Sequence, residues 1–401
     1  MARILRERGV SMKITIISHL FPNSQWIFKG IFVKEQVKAL LEKNIEIEQV
    51  IAPTPYIPHF LSFFKENWKK YYKIERQEWL ARMKVMRPRY IVIPGKHFFW
   101  LQGIFMGIRL AYIFRQHKIN YDVLHAHCIL PDGLAAIIVN RLSRGGKIVC
   151  TIHGDDLNTY PWYDGITTYM AKVVIKNTDL FICVSEALKT KLIALEGSAN
   201  AVTIRNGIDT ARFKAHNRVH HSYTCQREFV FLFVGDVTRM KGAEDLLMAF
   251  AEFNNVYRNS KLWIVGDINN ADFPLRDIVA HNVKFIGVIP NEEIPDIMNA
   301  ADVFVLPSYS EGLPTVMLEA MACQLPIIIT EVGGIPEVLS NRKSAILINP
   351  GNVDELKKAM ICVLEKSLRE TISLEAQQIL LENHTWNVNT TTLIKAYSEL
   401  I

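Results

Sequence analysis

ADVFVLPSYSEGLPTVMLEAMACQLPIIIT, residues 301–330, contains two short apolar runs separated by a stretch with helical character. The runs at 303–306 and 326–330 are rich in β-branched residues, and both are too short to be typical helices. Pro314 stands where a helix between them would begin, a position that tolerates its missing N–H. A strand, a helix and a second strand in this order predict two parallel strands joined by a crossover helix.

The same alternation extends in both directions along the chain. Strand-like runs occur at 14–18, 45–53, 122–127, 147–154 and 180–185, and a second series occurs at 229–236, 261–267, 283–287, 302–308, 326–330 and 345–349. Because the series starts again after a polar interval, we predict an α/β protein with two Rossmann-like, doubly wound parallel-sheet domains in tandem. Ligands of such sheets bind beyond the carboxyl ends of the strands.

The polar interval sets the expected domain limits. Residues 212–227 are polar, rich in His and Arg and without period, which is typical of a linker. We therefore predict an N-terminal extension (1–12), a first Rossmann-like domain (13–211), the linker (212–227), a second Rossmann-like domain (228–380) and a C-terminal helix (381–401). By analogy with other two-domain enzymes, that helix is expected to cross back to the first domain.

Composition excludes several classes of protein. The chain has 401 residues, 49% of them hydrophobic and 21% charged, and a formal net charge of +6, which fits a well-cored globular protein without nucleic-acid binding. The six cysteines lack the short paired spacings of zinc or redox motifs. No later apolar stretch approaches the roughly 18 residues of a spanning helix, so a cytoplasmic location is expected.

The start of the helix after residue 313 is a candidate phosphate site. A helix that starts here leaves the backbone N–H groups of Leu313, Thr315 and Val316 without helical partners. Such free N–H groups suit a diphosphate. Glu311 precedes this helix and could hold a sugar, whereas Glu319 lies further along it and could accept hydrogen bonds from ribose hydroxyls. Taken singly, both carboxylates could equally be ordinary residues of a helix start and a helix surface.

Several motifs together resemble glycosyltransferase family 4. They are FPNSQWIFKGIFVKEQ (21–36), HAHCILPDG (125–133), TIHGDD (151–156), VSEALKTKL (184–192), RNGID (205–209), VGDVTRMKG (234–242), EGLP (311–314), EAMA (319–322), PIIIT (326–330) and GGIPE (333–337). Members of this family share the GT-B fold, in which two Rossmann-like domains face a central cleft. The first motif is most similar to the branch that builds exported bacterial polysaccharides such as capsule, exopolysaccharide, teichuronic acid or lipopolysaccharide.

The resemblance implies a retaining glycosyltransferase. It would move a hexose from a UDP- or GDP-sugar to a glycan or lipid-linked acceptor hydroxyl, without a metal ion or another cofactor. Two alternatives stay open, namely a nucleotide-sugar epimerase on the same fold and a catalytically inactive sugar-nucleotide-binding protein. The second is suggested by Asp236, because many relatives carry Arg directly after the glycine that corresponds to Gly235.

The resemblance also implies that the first domain (13–211) is the acceptor-binding domain and that the second (228–380) is the nucleotide-sugar-binding domain. Arg239 and Lys241 would offset the charge of the leaving diphosphate, and Glu311 would hold sugar hydroxyls during front-face substitution. Gly312, Leu313, Pro314, Thr315 and Glu319 would bind the donor nucleotide.

In the first domain, Gly30 would let the backbone approach the donor phosphates, although it could also be a simple turn glycine. His127 is favoured over His125 as the active-site histidine, because it ends its strand. His153 and Asp155 follow the next strand, and we expect them on the acceptor side. Asp155 is interpreted as a binding residue, since a donor phosphate oxygen is the usual base in retaining enzymes of this type.

Residues 59–100 interleave aromatic and basic side chains, which we place on helices. This pattern suits peripheral contact with an anionic membrane, here the inner face of the cell membrane. The alternative is that the aromatic residues belong to the core and the cations to a solvated face.

Overall fold

The computed structural model describes residues 12–58, 66–80, 82–143, 145–216, 228–275 and 281–401. These residues form two compact units. The first contains the described residues up to Arg205 together with Trp386–Ile401, and the second is Asn206–Thr385. Most of the predicted N-terminal extension, and residues 217–227 of the predicted linker, lie outside the described residues.

The limits of the units differ from the predicted domain limits. Residues 206–211 belong to the second unit because Ile208 forms a β-bridge with Thr385 and its N–H donates to the His384 carbonyl at 2.8 Å. The last helix joins the first unit from Trp386 instead of from residue 381, since the preceding helix continues to Asn383.

The first unit is built on an eight-stranded sheet with the order β10-β9-β8-β7-β1-β2-β5-β4. All neighbours are parallel except β4 and β5, and a separate parallel pair joins β3 to β6. The strands are β1 (Lys13–Ile17), β2 (Glu46–Ile51), β3 (Thr54–Tyr56), β4 (Gln77–Leu80), β5 (Met83–Met86), β6 (Arg89–Ile91), β7 (Val123–His127), β8 (Lys147–Ile152), β9 (Leu180–Cys183) and β10 (Ala201–Thr203).

The helices of the first unit cover both faces of this sheet, as expected for a doubly wound fold. They are α1 (Ile31–Glu42), α2 (Glu66–Lys70), α3 (Phe99–His117), α4 (Leu134–Ser143), α5 (Asp155–Asn158), α6 (Gly165–Lys176), α7 (Glu186–Leu195) and the C-terminal α13 (Trp386–Leu400). Tyr397 of α13 is fully buried in the same core as β1 and α1. The C-terminal helix is therefore an integral part of this unit.

The second unit has a six-stranded, wholly parallel sheet with the order β13-β12-β11-β14-β15-β16. Its elements are β11 (Phe229–Val234), α8 (Ala243–Val256), β12 (Ser260–Val265), β13 (Val283–Gly287), α9 (Ile294–Ala300), β14 (Val303–Leu306), α10 (Thr315–Ala322), β15 (Ile327–Thr330), β16 (Ile346–Ile348), α11 (Val353–Cys362) and α12 (Lys366–Asn383). Each predicted strand of the second series is observed, and the predicted α/β class is confirmed.

Two expectations about residues 59–117 were wrong: that the basic and aromatic segment is helical, and that no apolar stretch approaches the length of a spanning helix. Among the described residues of the basic and aromatic segment, 77–80, 83–86 and 89–91 form the short strands β4, β5 and β6, and helical turns occur at 66–73 and 96–100. The helical stretch Lys96–His117 has a mean hydropathy of 1.2 over an 18-residue window, so by length and composition alone it could cross a membrane. Core helices of globular domains meet the same criterion, and this helix packs against α4.

Candidate active site

The loops after β11 and β14 bring two of the predicted site residues together. The Lys241 ammonium donates to Glu311 Oε1 at 2.8 Å, although 70 residues separate the two in sequence. The Glu311 side chain is only 8% exposed, whereas that of Lys241 is 33% exposed. The lysine thus offsets a largely buried carboxylate while part of its side chain stays accessible.

Backbone contacts hold the lysine beside this loop. Gly242 has a φ of 69°, and a Cβ at this position would lie 2.0 Å from the Pro307 carbonyl oxygen. A side chain is therefore excluded where the Arg239–Lys241 turn meets the end of β14. Tyr309 strengthens the contact, because its N–H donates to the Met240 carbonyl at 2.9 Å.

Arg239 has a different environment from Lys241. Its Nε donates to Glu244 Oε2 at 2.5 Å and its Nη2 donates to Glu244 Oε1 at 3.2 Å, in an exposed position. The guanidinium is therefore engaged by a carboxylate other than Glu311. Asp236, which raised doubt about the phosphate site, is exposed just beyond β11. The phosphate role of Arg239 stays a prediction.

Helix α10 starts at Thr315 after a Pro314 with φ −69° and ψ 121°. The first hydrogen bond of this turn runs from the Met317 N–H to the Pro314 carbonyl at 3.2 Å, so the N–H groups of Thr315 and Val316 precede it. Leu313 is 4% exposed and Glu319, in the second turn, is 7% exposed. The helix therefore starts where the sequence predicted it, and Glu319 is not a solvated helix-surface residue. Donor binding by this segment stays a prediction.

Ser308 was not predicted as a site residue on its own. It is fully buried at the end of β14, and its hydroxyl has no hydrogen-bond partner among the described residues. Buried hydroxyls are normally paired, so this one is a candidate ligand contact. Its place directly after a parallel strand was the available signal in the sequence.

The first unit contains a buried histidine stack at the ends of β7 and β8. His125 and His127 rings are 4.4 Å apart, and His127 Nδ1 lies 3.0 Å from His153 Nε2. His125 is fixed on both sides, since Thr151 Oγ1 lies 2.7 Å from its Nε2 and the Tyr397 hydroxyl lies 2.6 Å from its Nδ1. By contrast, His127 Nε2 and His153 Nδ1 have no partner among the described residues. A ring nitrogen of His127 is thus left for a ligand and none of His125 is, while the catalytic role of His127 stays a prediction.

Burial keeps these imidazoles neutral. It lowers the pKa of His125 and of His153 to about 3, and it holds the pKa of His127 well below its usual value. In a neutral pair, one proton occupies the hydrogen bond between His127 and His153. The two ring nitrogens outside that hydrogen bond, His127 Nε2 and His153 Nδ1, must then have opposite roles, one donating and one accepting. The pair can therefore meet either a hydroxyl or a phosphate oxygen by exchanging tautomers.

The buried carboxylate in this region is Asp156, whereas the predicted Asp155 is exposed at the start of α5. Asp156 is 1% exposed and accepts hydrogen bonds from the backbone N–H groups of His153 at 3.1 Å and Gly154 at 2.8 Å. Burial nevertheless raises its pKa to about 7. It can therefore hold a proton near neutral pH, a property that the adjacent acidic pair in TIHGDD did not reveal.

His19 and Asp132 form a second pair that the sequence did not predict. The fully buried Asp132 accepts from the His19 N–H at 3.0 Å, and its Oδ2 lies 2.8 Å from His19 Nδ1. Together with Cys128, these residues place three potential metal-ligand atoms within 4.8 Å of one another. Burial, followed by the charges of Asp156 and Asp132, raises the pKa of the Cys128 thiol.

The local backbone explains why position 30 is a glycine. It precedes α1 with a φ of 72°, and a Cβ there would lie 2.1 Å from the Leu20 carbonyl oxygen. The backbone approach that requires a glycine is thus made by the chain itself. This favours the turn interpretation, while a further contact with donor phosphates stays a prediction.

Acidification below about pH 6.5 is expected to destabilise the first unit. In the unfolded chain His125, His127 and His153 take up protons near pH 6.5, whereas in the folded chain their pKa values are depressed. Each therefore removes roughly 1.4 kcal/mol of stability per pH unit as the pH falls from its unfolded to its folded pKa. The raised pKa values of Asp132 and Asp156 increase stability as the pH falls. These are two groups, whereas three histidines lower the stability, so a net loss is expected.

Thermal unfolding at pH 7.5 and at pH 5 measures this effect, and we expect a lower midpoint at pH 5. In a His125→Gln variant the difference between the two midpoints should shrink. An unchanged or higher midpoint at pH 5 in the native protein would contradict the neutral histidine stack.

Comparison with known proteins finds glycosyltransferase families that match both units. A family model described as Glycosyltransferase Family 4 matches residues 31–212, and one described as Glycosyl transferases group 1 matches residues 222–379. A glycosyltransferase of Bacillus subtilis assigned to teichuronic acid biosynthesis is 29% identical over 87% of this chain and 88% of its own. An Escherichia coli galactosyltransferase named for UDP-Gal and α-D-GlcNAc-diphosphoundecaprenol is 26% identical over 64% of this chain and 70% of its own.

Solved structures share the fold at low sequence identity. Sucrose-phosphate synthase from Thermosynechococcus elongatus superposes with a TM-score of 0.77 at 18% identity, covering 97% of this chain and 99% of that one. Anabaena HepE in complex with UDP-glucose gives a TM-score of 0.70 at 18% identity, covering 97% and 100%. Two Rossmann-like units with these structural neighbours define the GT-B fold. The family models and the curated relatives show that the protein is a glycosyltransferase.

The two family models follow one another along the chain and account for most of it. The chain belongs to glycosyltransferase family 4. The resemblance seen in the sequence is confirmed, and sugar transfer is favoured over the epimerase alternative.

Proposed function

We propose that the protein transfers a sugar, with retention of anomeric configuration, from a nucleoside-diphosphate sugar to a glycan or lipid-linked acceptor in cell-surface polysaccharide synthesis. The hydrogen-bonded Lys241–Glu311 pair beside the start of α10 carries this proposal, because it combines a cation for the leaving group with a carboxylate for the sugar. The relatives from teichuronic acid and lipid-diphosphate glycan synthesis support the pathway. The UDP-glucose complex of the Anabaena protein favours UDP over GDP as the donor base.

The second unit would bind the donor. An incoming diphosphate competes with Glu311 for the Lys241 ammonium. The N–H groups of Thr315 and Val316 donate hydrogen bonds to its oxygens. Glu311 is then released to accept hydrogen bonds from sugar hydroxyls. Glu319 would accept hydrogen bonds from the ribose.

The transfer step needs no protein nucleophile. The bond between the anomeric carbon and the diphosphate oxygen breaks, and the acceptor oxygen bonds to the same face of that carbon. The acceptor proton passes to the departing phosphate oxygen. His127 would hydrogen-bond the donor or the acceptor through Nε2, while His153 adopts the complementary tautomer.

A thermal-shift panel of nucleoside diphosphates and their sugars tests the donor class. A ligand at 100 times its dissociation constant should stabilise the native state by about 2.7 kcal/mol. We expect UDP and UDP-sugars to raise the unfolding midpoint, and UMP to raise it less because it lacks the second phosphate. The proposal fails if no nucleoside diphosphate or sugar nucleotide changes the midpoint.

Activity is expected to survive a chelator. Lys241 and the start of α10 would supply the positive charge that a divalent cation provides in other glycosyltransferases. Initial rates with and without EDTA, after dialysis, measure the dependence. Loss of activity that magnesium or manganese restores would show that a metal ion is needed.

We also propose a cytoplasmic location with peripheral binding to an anionic membrane. Lys69, Lys70 and Lys73 follow one another on α2 and the adjoining 3-10 turn, whereas residues 59–65 lie outside the described residues. On the same stretch the Trp79 and Phe98 side chains are 73% and 47% exposed, so these aromatics are not core residues. Exposed aromatic rings beside cations suit a bilayer interface.

Changing Lys69, Lys70 and Lys73 together to Glu is expected to abolish most of this binding. Each cation near an anionic surface contributes on the order of 1 kcal/mol, and high salt should weaken the attraction in the same way. Sedimentation with phosphatidylglycerol-containing and neutral vesicles measures it. A variant with Lys284, Lys343 and Lys358 as Glu has the same change in charge and should still pellet. Equal pelleting of the two variants would show that the Lys69–Lys73 cations are only a solvated face.

A further inference from the structure

The first unit contains a second basic site, away from the histidine stack. A cavity of about 470 Å³ lies between the β5–β6 segment and the second half of α3. Four arginines and one histidine line it, and none of the described residues that line it is acidic; the charged lining residues are Arg76, Arg87, Arg89, Arg109 and His117. Such a concentration of one charge sign in a small cavity favours anions.

Two of the arginines form the wall of the cavity. Arg87 is 3% exposed and donates to the Glu78 carboxylate and to the Pro22 carbonyl, so a carboxylate already offsets its charge. Within the part of the chain that the structure describes, Arg89 donates through Nη2 to neutral carbonyls, those of Tyr71 at 3.4 Å and Tyr72 at 3.3 Å, and to no carboxylate. The charge of Arg89 therefore remains available to a ligand.

The other two arginines are exposed at the mouth of the cavity. Arg109 lies over the Tyr112 ring, with its guanidinium carbon 5.5 Å from the ring centre. Within the described ranges, neither Arg76 nor Arg109 forms an ion pair with a carboxylate. With Arg89, three guanidinium groups thus face one cavity without an acidic partner, and they repel one another unless an anion or solvent screens them.

We infer that this cavity binds a phosphate or diphosphate ester. Planar guanidinium groups bind phosphate oxygens in pairs, which gives both strength and orientation. The volume exceeds that of a lone phosphate and lies in the range of small-molecule sites. Met86, Pro88 and Ile113 add apolar wall that can contact the organic part of the ester. The phosphate can belong to a dissolved ester or to a lipid headgroup, and the chemistry of recognition is the same.

The pocket variant for the test is Arg76→Gln with Arg109→Gln, because both side chains are exposed and outside the carboxylate pairs of the fold. Its matched control is Arg82→Gln with Arg115→Gln, which removes the same charge from exposed positions of the same unit that do not line the cavity. Equal thermal unfolding midpoints verify that both variants fold.

In the first arm of the test, isothermal titration at low salt measures the binding of inorganic diphosphate to the native protein, the pocket variant and the control. Binding to the second unit is common to all three proteins, so the pocket appears as an additional event in the native protein and the control. We expect this event to be at least tenfold weaker in the pocket variant, about 1.4 kcal/mol.

Sedimentation with phosphatidylcholine vesicles, with and without phosphatidylglycerol, forms the second arm. A loss confined to the first arm identifies a dissolved ester as the ligand, and a loss confined to the second identifies a lipid phosphate. If the pocket variant matches the control in both arms, the inference is wrong and the arginines are a solvated surface. Because neither arm measures sugar transfer, this outcome is independent of the proposed transferase function.

Discussion

Replacing Lys241 with alanine is expected to lower kcat by about 10²- to 10³-fold, the usual effect of removing one group that stabilises charge in a transition state. The ammonium is the cation that the structure places on Glu311, at 2.8 Å, beside the first turn of α10. Without it the leaving diphosphate keeps more of its charge, and Glu311 is left nearly buried without its counter-ion. Steady-state kinetics with the donor varied measure the loss.

Two further variants separate charge stabilisation from folding. Lys241→Ala combined with Glu311→Gln should recover stability, because the uncompensated carboxylate is gone, but it should not recover turnover. Arg239→Ala should cost less than Lys241→Ala, since Glu244 already engages this exposed guanidinium. Near-normal turnover in Lys241→Ala would remove the lysine from the site.

Replacing Glu319 with alanine is expected to weaken the binding of UDP by roughly 10- to 150-fold. Hydrogen bonds to a charged group are worth about 1.5–3 kcal/mol, and this carboxylate is 7% exposed, so little water competes for it. Titration calorimetry with UDP and with inorganic diphosphate measures the effect. Only UDP should bind more weakly, because only UDP carries a ribose.

Glu331→Ala is the matched control, since this carboxylate is exposed just beyond β15. If Glu319→Ala changes the choice among donor sugars but not the affinity for UDP, the ribose and sugar roles of Glu319 and Glu311 are reversed.

Most of the fold could be predicted because parallel strands buried on both faces appear as short, nearly continuous apolar runs. Such runs predicted every strand of the second unit, including Phe229–Val234 and Ile327–Thr330. The prediction was wrong for Gln77–Leu80 and Met83–Met86, where partly exposed strands have the sequences QEWL and MKVM and lack a continuous apolar run. These two short antiparallel strands lie at one edge of the sheet. A strand there can be stable with one face covered, so its sequence does not need a continuous apolar run.

The candidate site was predicted less completely than the fold. Lys241 and Glu311 were found through motifs, whereas the His19–Asp132 pair spans 113 residues and the Tyr397–His125 pair spans 272. Tertiary folding selects such partners, and no local pattern marks them. The raised pKa of Asp156 is likewise a consequence of burial, which distinguishes it from the adjacent exposed Asp155 only in the folded chain.

The stereochemistry of transfer tests the central claim most directly. The protein is incubated with an α-linked UDP-sugar and a lipid-linked glycan acceptor, and nuclear magnetic resonance determines the anomeric configuration of the purified product. We predict release of UDP in a one-to-one ratio with an α-linked product, because the acceptor attacks the face that the diphosphate leaves. A β-linked product would contradict front-face transfer at the Lys241–Glu311 site.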